Sequence, residues 1–265
     1  MKIVVIFLLL TILSIFILWR SKKTKANNRP FGLLKVSRKF HKWLMLFIGL
    51  QFVVWSISGA YMVIFDINYI HGNSLVSNPQ DTIKPDNIHY SMAKLYDKYP
   101  QASKLEVGKL IEQNVYRFNV DGNQYLLSAQ TGELLSPLSK ALAIKVSQHH
   151  YSADHDVSEV ELITENPPFE LNPRSLPAWR VNFDAFGSPS IYISAETGKL
   201  VGKRHNFWRL FDWMFRFHLM DYGEDSSIHN YLLFFVISFS FATALSGLVL
   251  VYFRVFKKDV TEELV

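Results

Sequence analysis

The sequence predicts a membrane protein with three transmembrane helices and an α+β domain outside the membrane. Three observations support this prediction. The chain has three long apolar segments, and a basic stretch without acidic residues separates the first two of them. A sequence pattern also occurs twice in the polar part between the last two. The fold class is therefore helical inside the bilayer and α+β outside it.

The three apolar segments are each long enough to cross a bilayer as a helix. Residues 1–19 form the first predicted transmembrane helix, 43–66 the second and 228–253 the third. A helix needs roughly 20 mostly apolar residues to cross a hydrocarbon core about 30 Å thick. The first segment could instead be a cleaved signal peptide. Its positive charges follow the apolar stretch and no small-residue cleavage site comes after it, which favours an uncleaved helix.

The basic residues predict the orientation of these helices. Segment 20–42 contains nine Lys and Arg and no Asp or Glu, and the tail 254–265 is basic where it leaves the third helix. By the positive-inside rule both segments are cytoplasmic. Residues 67–228 carry 15 Lys and Arg against 19 Asp and Glu, which fits an exported region. We therefore expect a multi-pass protein of the bacterial inner (cytoplasmic) membrane, with a periplasmic central domain and a cytoplasmic C-terminus.

Charge and composition exclude several classes of function. The net charge of +5 arises from basic residues next to predicted helices, so nucleic acid is not an expected partner. The chain has no cysteine, which excludes disulfides, thiolate metal sites, iron–sulfur clusters and covalently attached haem. No hydrolase elbow, zinc-protease motif or phosphate-binding glycine loop is present, so we assign no catalytic residue and no metal site.

The pattern that occurs twice predicts a duplicated unit in the central domain, 67–205. Residues 116–121 lead into 127–134, and about 63 residues later 179–184 lead into 193–200. Arg, Asn and Asp recur at the same spacing, followed by Ser-Ala-(Gln/Glu)-Thr-Gly-(Glu/Lys)-Leu. The second copy has three extra residues around Gly187. Because apolar and polar residues alternate and a Thr-Gly turn follows, each copy predicts a β-hairpin.

Further elements are predicted around these hairpins. Helices are expected over 91–99 and 138–150, and a short strand over 160–163. Segment 206–222 is aromatic-rich and amphipathic, and it nearly adjoins the third apolar segment. Such a segment is typical of an interfacial helix, so we expect it to lie on the membrane surface in contact with lipid.

The repeated hairpins and the histidine-containing helices resemble those of a known family. The two Ser-Ala-x-Thr-Gly-x-Leu hairpins are similar to paired PepSY repeats. Phe40-His41-Lys42-Trp43 with Ser58-Gly59 resembles the first helix of the PepSY-associated transmembrane family, and Phe217-His218-Leu219-Met220 with Ser246-Gly247-Leu248 resembles its returning helix. The resemblance covers about residues 36–256, in a short form with three helices.

The resemblance implies two different functions. Some relatives are inner-membrane reductases for ferric siderophores that carry b-type haem between helix histidines, which implies electron transfer in iron uptake and an oxidoreductase subunit. PepSY domains elsewhere restrain proteases, which implies the alternative of a non-catalytic, membrane-anchored module that binds or inhibits an envelope protein. Because no nicotinamide or flavin domain is present, an electron donor would be a partner protein or a quinol.

Six histidines are candidate haem ligands. His218 comes first, because it matches the histidine of the family's returning helix. The others are His71, His149, His150 and His229, which the predicted topology places near the outer face, and His41 at the cytoplasmic entrance of the second helix. Neither the first nor the third helix supplies a second histidine at the inner face. Either a homodimer or a partner subunit supplies it there, or the protein does not conduct electrons across the membrane alone.

Structural roles that involve no cofactor remain alternative interpretations of these residues. His41 beside Lys42 and Trp43 also fits an interfacial anchor set. The pair His149 and His150 fits the polar end of a helix, His218 a hydrogen-bonded residue of the interfacial helix, and His229 a first-turn residue. The small residues 56–60 and 243–247 would suit either close helix packing or room for a flat porphyrin. Three further histidines lie in polar stretches and are expected to be solvated: His89, His155 and His205.

Overall fold

The computed structural model describes residues 29–77, 83, 85–221 and 231–256. They divide into two compact units. One unit comprises the chain up to Trp55 and from Gly223 onward, and the other runs from Ser56 to Tyr222. The first predicted transmembrane helix (1–19), His229 and the end of the basic tail lie outside the described residues.

Among the described residues, two helices are long and apolar enough to cross a membrane. The first, α1, runs from Arg29 to Ile64, with the apolar part over Ser37–Ile64. The other is the last helix of the described residues, with the apolar part over Tyr231–Val255. The predicted second and third transmembrane segments therefore form helices. Because α1 already begins at Arg29, residues 29–42 of the segment predicted as a basic loop are helical.

The unit from Ser56 to Tyr222 contains two antiparallel sheets and several short helices. After α1 come α2 (Ile67–Ile70) and α3 (Met92–Lys98), then β1 (Ser103–Leu110), β2 (Gln113–Val120) and β3 (Asn123–Ser128). Helix α4 (Lys140–His150) leads to β4 (Val157–Ile163), β5 (Ala178–Phe183), β6 (Ser190–Ser194) and β7 (Leu200–Arg204). Helix α5 (Asn206–Leu219) ends the unit, and α6 (Tyr231–Phe256) follows in the other. The sheet orders are β1-β2-β3 and β4-β5-β6-β7.

The duplication predicted from the sequence is present in the strand register. In the first sheet Arg117 of β2 lies opposite Leu126 of β3, and in the second Arg180 of β5 lies opposite Tyr192 of β6. On its other side each arginine faces a glutamate of the preceding strand, at Glu106 and Glu161. Both preceding strands also carry a register shift near their start. Each copy is thus one helix followed by three antiparallel strands.

The Thr-Gly turns of the two copies have the same backbone hydrogen bonds. The amide of Gly132 donates to the carbonyl of Ser128 at 2.9 Å, and that of Gly198 donates to Ser194 at 3.0 Å. Both glycines have positive φ, 75° and 66°, a region that costs glycine nothing. The serine hydroxyl accepts backbone amides of the same turn in each copy. The shared Ser-Ala-x-Thr-Gly motif is therefore a structural turn.

The two copies share one apolar core. Leu126 of the first sheet, Val181 and Ile191 of the second and Val146 of α4 are fully or almost fully buried in one cluster. Helix α4 packs on β4, β5 and β6. A second cluster around Leu95 of α3 lies on the other face of the first sheet. The first sheet is therefore covered on both faces, which is why β2 is buried almost continuously along its length.

Two strands were not expected from the sequence. Strand β1 has a register shift between Ser103 and Glu106, which breaks the regular alternation that indicates a strand. Strand β7 is short, and all five of its residues are half-buried, so it shows no alternation of burial at all. Both strands form because they pair with neighbouring strands, and neither sequence shows a regular alternation of apolar and polar residues along its whole length.

Gly198→Ala should destabilise the domain more than Gly122→Ala. Both glycines have positive φ, so both variants suffer similar backbone strain. A methyl group at position 198 would also collide with the Leu110 side chain, whereas at Gly122 nothing lies within 4 Å. We expect the collision to lower the free energy of unfolding by about 1–3 kcal/mol more at 198. Denaturant unfolding of both variants in detergent measures the difference, and equal losses would contradict the close packing at Gly198.

Candidate functional site

The side chain of His41 is held between the two long apolar helices. Its Nδ1 lies 3.1 Å from the carbonyl oxygen of Thr243 and 3.0 Å from the hydroxyl of Ser246, both on α6. The Ser246 hydroxyl itself donates to the Thr243 carbonyl at 2.8 Å. The hydroxyl proton of Ser246 is therefore already donated to Thr243, and the lone pairs of the Ser246 oxygen can accept a hydrogen bond from His41.

These contacts assign the tautomer of His41. A carbonyl oxygen can only accept, so Nδ1 must carry the proton and donate to Thr243. In the neutral ring Nε2 then carries the lone pair. Histidines that bind metals are usually held this way, with the other ring nitrogen donating to a carbonyl or carboxylate oxygen. When its ring is neutral, His41 therefore presents the lone pair of Nε2 as a possible ligand.

A glycine makes room for the His41 ring. A Cβ atom at Gly247 would lie 3.0 Å from Cε1 of His41, tighter than ordinary van der Waals contact. Any larger residue there would press on the ring. The ring thus lies on a Ser-Gly step of the facing helix, formed by Ser246 and Gly247.

The same arrangement occurs at His218 in the other unit. Nδ1 of His218 on α5 lies 3.0 Å from the hydroxyl of Ser58, near the end of α1. A Cβ atom at Gly59 would lie 3.4 Å from Cε1 of His218. Each histidine therefore contacts a serine through Nδ1, and its Cε1 lies next to the space that a side chain at the following glycine would occupy. The two rings therefore pack against the two small-residue patches found in the sequence.

An ion pair and a hydrogen bond connect α5 to the second sheet. Arg209 of α5 binds both carboxylate oxygens of Glu170, with Nε at 2.7 Å and NH2 at 2.9 Å. The side chain of Glu170 is only 4% exposed. The hydroxyl of Tyr192 on β6 also donates to this carboxylate. The helix that carries His218 is thus fixed to the loop before β5 and to β6.

The surroundings of Glu170 favour its ionised form. Burial alone would raise the pKa of this carboxyl. The hydrogen bonds from Arg209 and Tyr192, together with nearby positive charge, outweigh burial and hold the pKa below its ordinary value. A buried carboxylate with a bidentate arginine is a strong, directional contact.

His149 and His150 lie at the end of α4, with ring centroids 5.7 Å apart. Both line a cavity of about 400 Å³ between β1 and the Thr-Gly turn of the second copy. Nε2 of His149 is buried and has no hydrogen-bond partner in the described part of the chain. These two histidines come together with each other, in surroundings different from those of His218.

The remaining histidines have varied environments. His71 is the exposed C-cap of α2. His89 and His155 are exposed, as expected. The expectation for His205 was wrong, because it is 2% exposed and its Nε2 lies 2.8 Å from the Tyr69 carbonyl. Its burial lowers its pKa. Across 29–77, 83, 85–221 and 231–256, no group of three or more His, Cys, Asp and Glu could hold a metal ion.

Comparison with known proteins adds no relative. No family model, no curated protein and no solved structure matches this chain.

The pairing of each histidine with a Ser-Gly step was not predicted. In the sequence, the two histidines His41 and His218 and the two small-residue patches are separate features with no visible connection. The signal that could have joined them is that Ser-Gly occurs once in each apolar helix, at Ser58-Gly59 and Ser246-Gly247. The Glu170–Arg209 pair was also missed, because 39 residues separate the two and neither belongs to a motif.

Glu170→Gln should lower the free energy of unfolding by about 3 kcal/mol, because it leaves the charge of Arg209 without its buried partner. The matched control is Glu161→Gln. Glu161 pairs with Arg180 at 2.7 Å but is 50% exposed, so its loss should cost less than about 1 kcal/mol. Denaturant unfolding at neutral pH measures both, and equal small losses would contradict the importance of the buried pair.

The same pair predicts a pH dependence. Because the pKa of Glu170 is lowered in the folded state, its stabilisation is present above the unfolded-state pKa of about 4.3. The stabilisation is lost as the pH falls from there through the folded-state pKa. Below about pH 5 the free energy of unfolding should therefore decrease more steeply with falling pH in the wild type than in Glu170→Gln. Parallel curves would contradict the assignment.

Proposed function

We propose that this protein is a b-haem-binding electron-transfer component of the bacterial inner membrane, of the PepSY-associated type. It passes electrons towards an extracytoplasmic acceptor, with ferric siderophores as the acceptor class that the family resemblance suggests. The donor is a quinol or a partner protein. In this proposal α1 and α6 cross the membrane, residues 1–19 form a third span, and the domain with two PepSY-like repeats is periplasmic.

The observation that supports this proposal is the shared setting of His41 and His218. Each ring contacts a serine hydroxyl through Nδ1, and its Cε1 lies next to the space that a side chain at the following glycine would fill. For His41 the Thr243 carbonyl also requires Nδ1 to be the donor. Imidazole nitrogen is a common protein ligand of b-type haem iron. The residues present therefore fit axial ligation of haem.

In this proposal the chain holds and orients the ligands. Thr243 and Ser246 keep the His41 ring in one tautomer, and Ser58 orients His218. The haem, when bound, supplies a one-electron carrier.

Each Ser-Gly step holds one histidine, so a six-coordinate haem needs a second ligand from elsewhere. For His218 the candidates within the chain are His71, His149, His150 and His229. For His41 the second ligand would come from a second copy of the chain or from a partner subunit. In the absence of that partner, electrons would not cross the whole membrane through this chain alone.

His218→Gly and His41→Gly should each lower haem affinity by more than about tenfold, because the direct ligand is removed. His155→Gly, at an exposed position, is the matched control and should retain haem. Haem per chain is measured by the pyridine haemochrome assay on detergent-purified protein. Added imidazole should restore the absorbance bands in the glycine variants, a response that a purely structural histidine would not produce. Full haem retention in both variants would contradict the proposal.

A specific observation favours a second candidate, the membrane-anchored module that binds or restrains an envelope protein such as a protease. The cavity lined by His149 and His150 lies where the two copies meet and is bordered by Leu110, Gly198 and Leu200. Charged side chains of Glu106, Lys109 and Arg117 line the same cavity, and a cavity with both apolar and polar lining suits a peptide segment. This candidate replaces the first if the wild-type protein contains no haem, and its test is inhibition of an envelope protease by the purified protein.

A further inference from the structure

The loop between β5 and β6 presents an exposed phenylalanine. It carries the three residues that the second copy has in addition to the first. Phe186 lies in this loop and is 90% exposed, the highest value among the large apolar side chains of the described residues. The first copy has the short polar turn Asp121-Gly122 at the same place. Duplication therefore does not account for Phe186.

Hydrogen bonds hold this loop in place. The amide of Ser188 donates to the Ala185 carbonyl at 2.9 Å, which closes a turn around Phe186. The amide of Asn206, the first residue of α5, donates to the Gly187 carbonyl at 2.7 Å. Arg209 also donates to the Ser188 carbonyl at 3.1 Å. A fixed loop thus keeps the ring of Phe186 outside the core.

The ring of Phe186 continues a row of aromatic rings that starts at the end of α1. Its centroid lies 5.8 Å from that of Phe207, which lies 5.5 Å from Phe65 and 5.4 Å from Tyr69. Phe65 directly follows Ile64, the last residue of the apolar span. Aromatic residues at the end of a transmembrane helix are typical of the membrane–water interface.

We propose that the loop Asp184–Ser188 is a membrane anchor whose Phe186 ring inserts into the lipid interface around the C-terminal end of α1. The occupant is the lipid bilayer, because the row of rings joins Phe186 to the end of an apolar span. The anchor would fix the second copy against the bilayer through a contact that the first copy lacks. This inference rests on the proposed membrane crossing of α1 and does not depend on haem.

The test uses the absence of cysteine from the chain. Phe186→Cys and Asn123→Cys each introduce one thiol for an environment-sensitive nitrobenzoxadiazole (NBD) label, in full-length protein reconstituted into phosphatidylcholine–phosphatidylglycerol nanodiscs. Asn123 is exposed in the corresponding hairpin of the first copy and is the matched control. We expect blue-shifted emission and several-fold stronger quenching by nitroxide-labelled lipids for the label at 186. The label at 123 should instead be quenched by aqueous iodide.

Equal iodide quenching at both positions, without lipid quenching at 186, would overturn the anchor. Because Phe186 lies outside the core, the cysteine variant should keep the wild-type circular dichroism, which is measured on the same samples. Haem content is also measured there. Lipid quenching at 186 in haem-free protein would support the anchor and contradict the haem proposal. The two proposals are therefore tested independently.

Discussion

The contact between His41 and the Thr243 carbonyl is the interaction on which the functional account depends. In an apolar helix pair a polar ring needs a hydrogen-bond partner, since an unpaired polar group is costly in hydrocarbon. The carbonyl can only accept, so the contact determines which ring nitrogen carries the proton. Gly247 supplies the space in which the ring lies. Thr243 and the Ser246-Gly247 step together thus set the hydrogen bonding and the packing of this ring.

Several contacts in sequence position His218. Its helix α5 is held to the second sheet by the pair Arg209–Glu170, and its ring lies on Ser58 and Gly59. The second sheet in turn is fixed by the core that it shares with the first. Duplication of the αβββ unit therefore has a physical role, because one copy supports α5 while the other completes the core. The buried carboxylate is the point at which this support is most sensitive to substitution and to acid.

The sequence was informative where a feature is local or periodic. The apolar spans follow from length, and the hairpins follow from alternation and the Thr-Gly turn, whose glycines at 132 and 198 do adopt positive φ. Strands β1 and β7 were missed because a bulge and uniform half-burial hide their period. The long-range contacts were not predicted, because 205 positions separate His41 from Ser246 and 160 separate Ser58 from His218. The Ser-Gly step in each apolar helix marks a position but does not indicate which histidine meets it. The burial of His205 was missed for the same reason.

The central claim is that histidines of this chain hold b-type haem. The most direct measurement is the absorbance spectrum of the wild-type protein, purified in detergent after expression with ample haem, before and after reduction with dithionite. The account predicts sharp reduced bands of six-coordinate b haem. A spectrum without haem bands would contradict it, and the rings of His41 and His218 would then serve only to pack their helices.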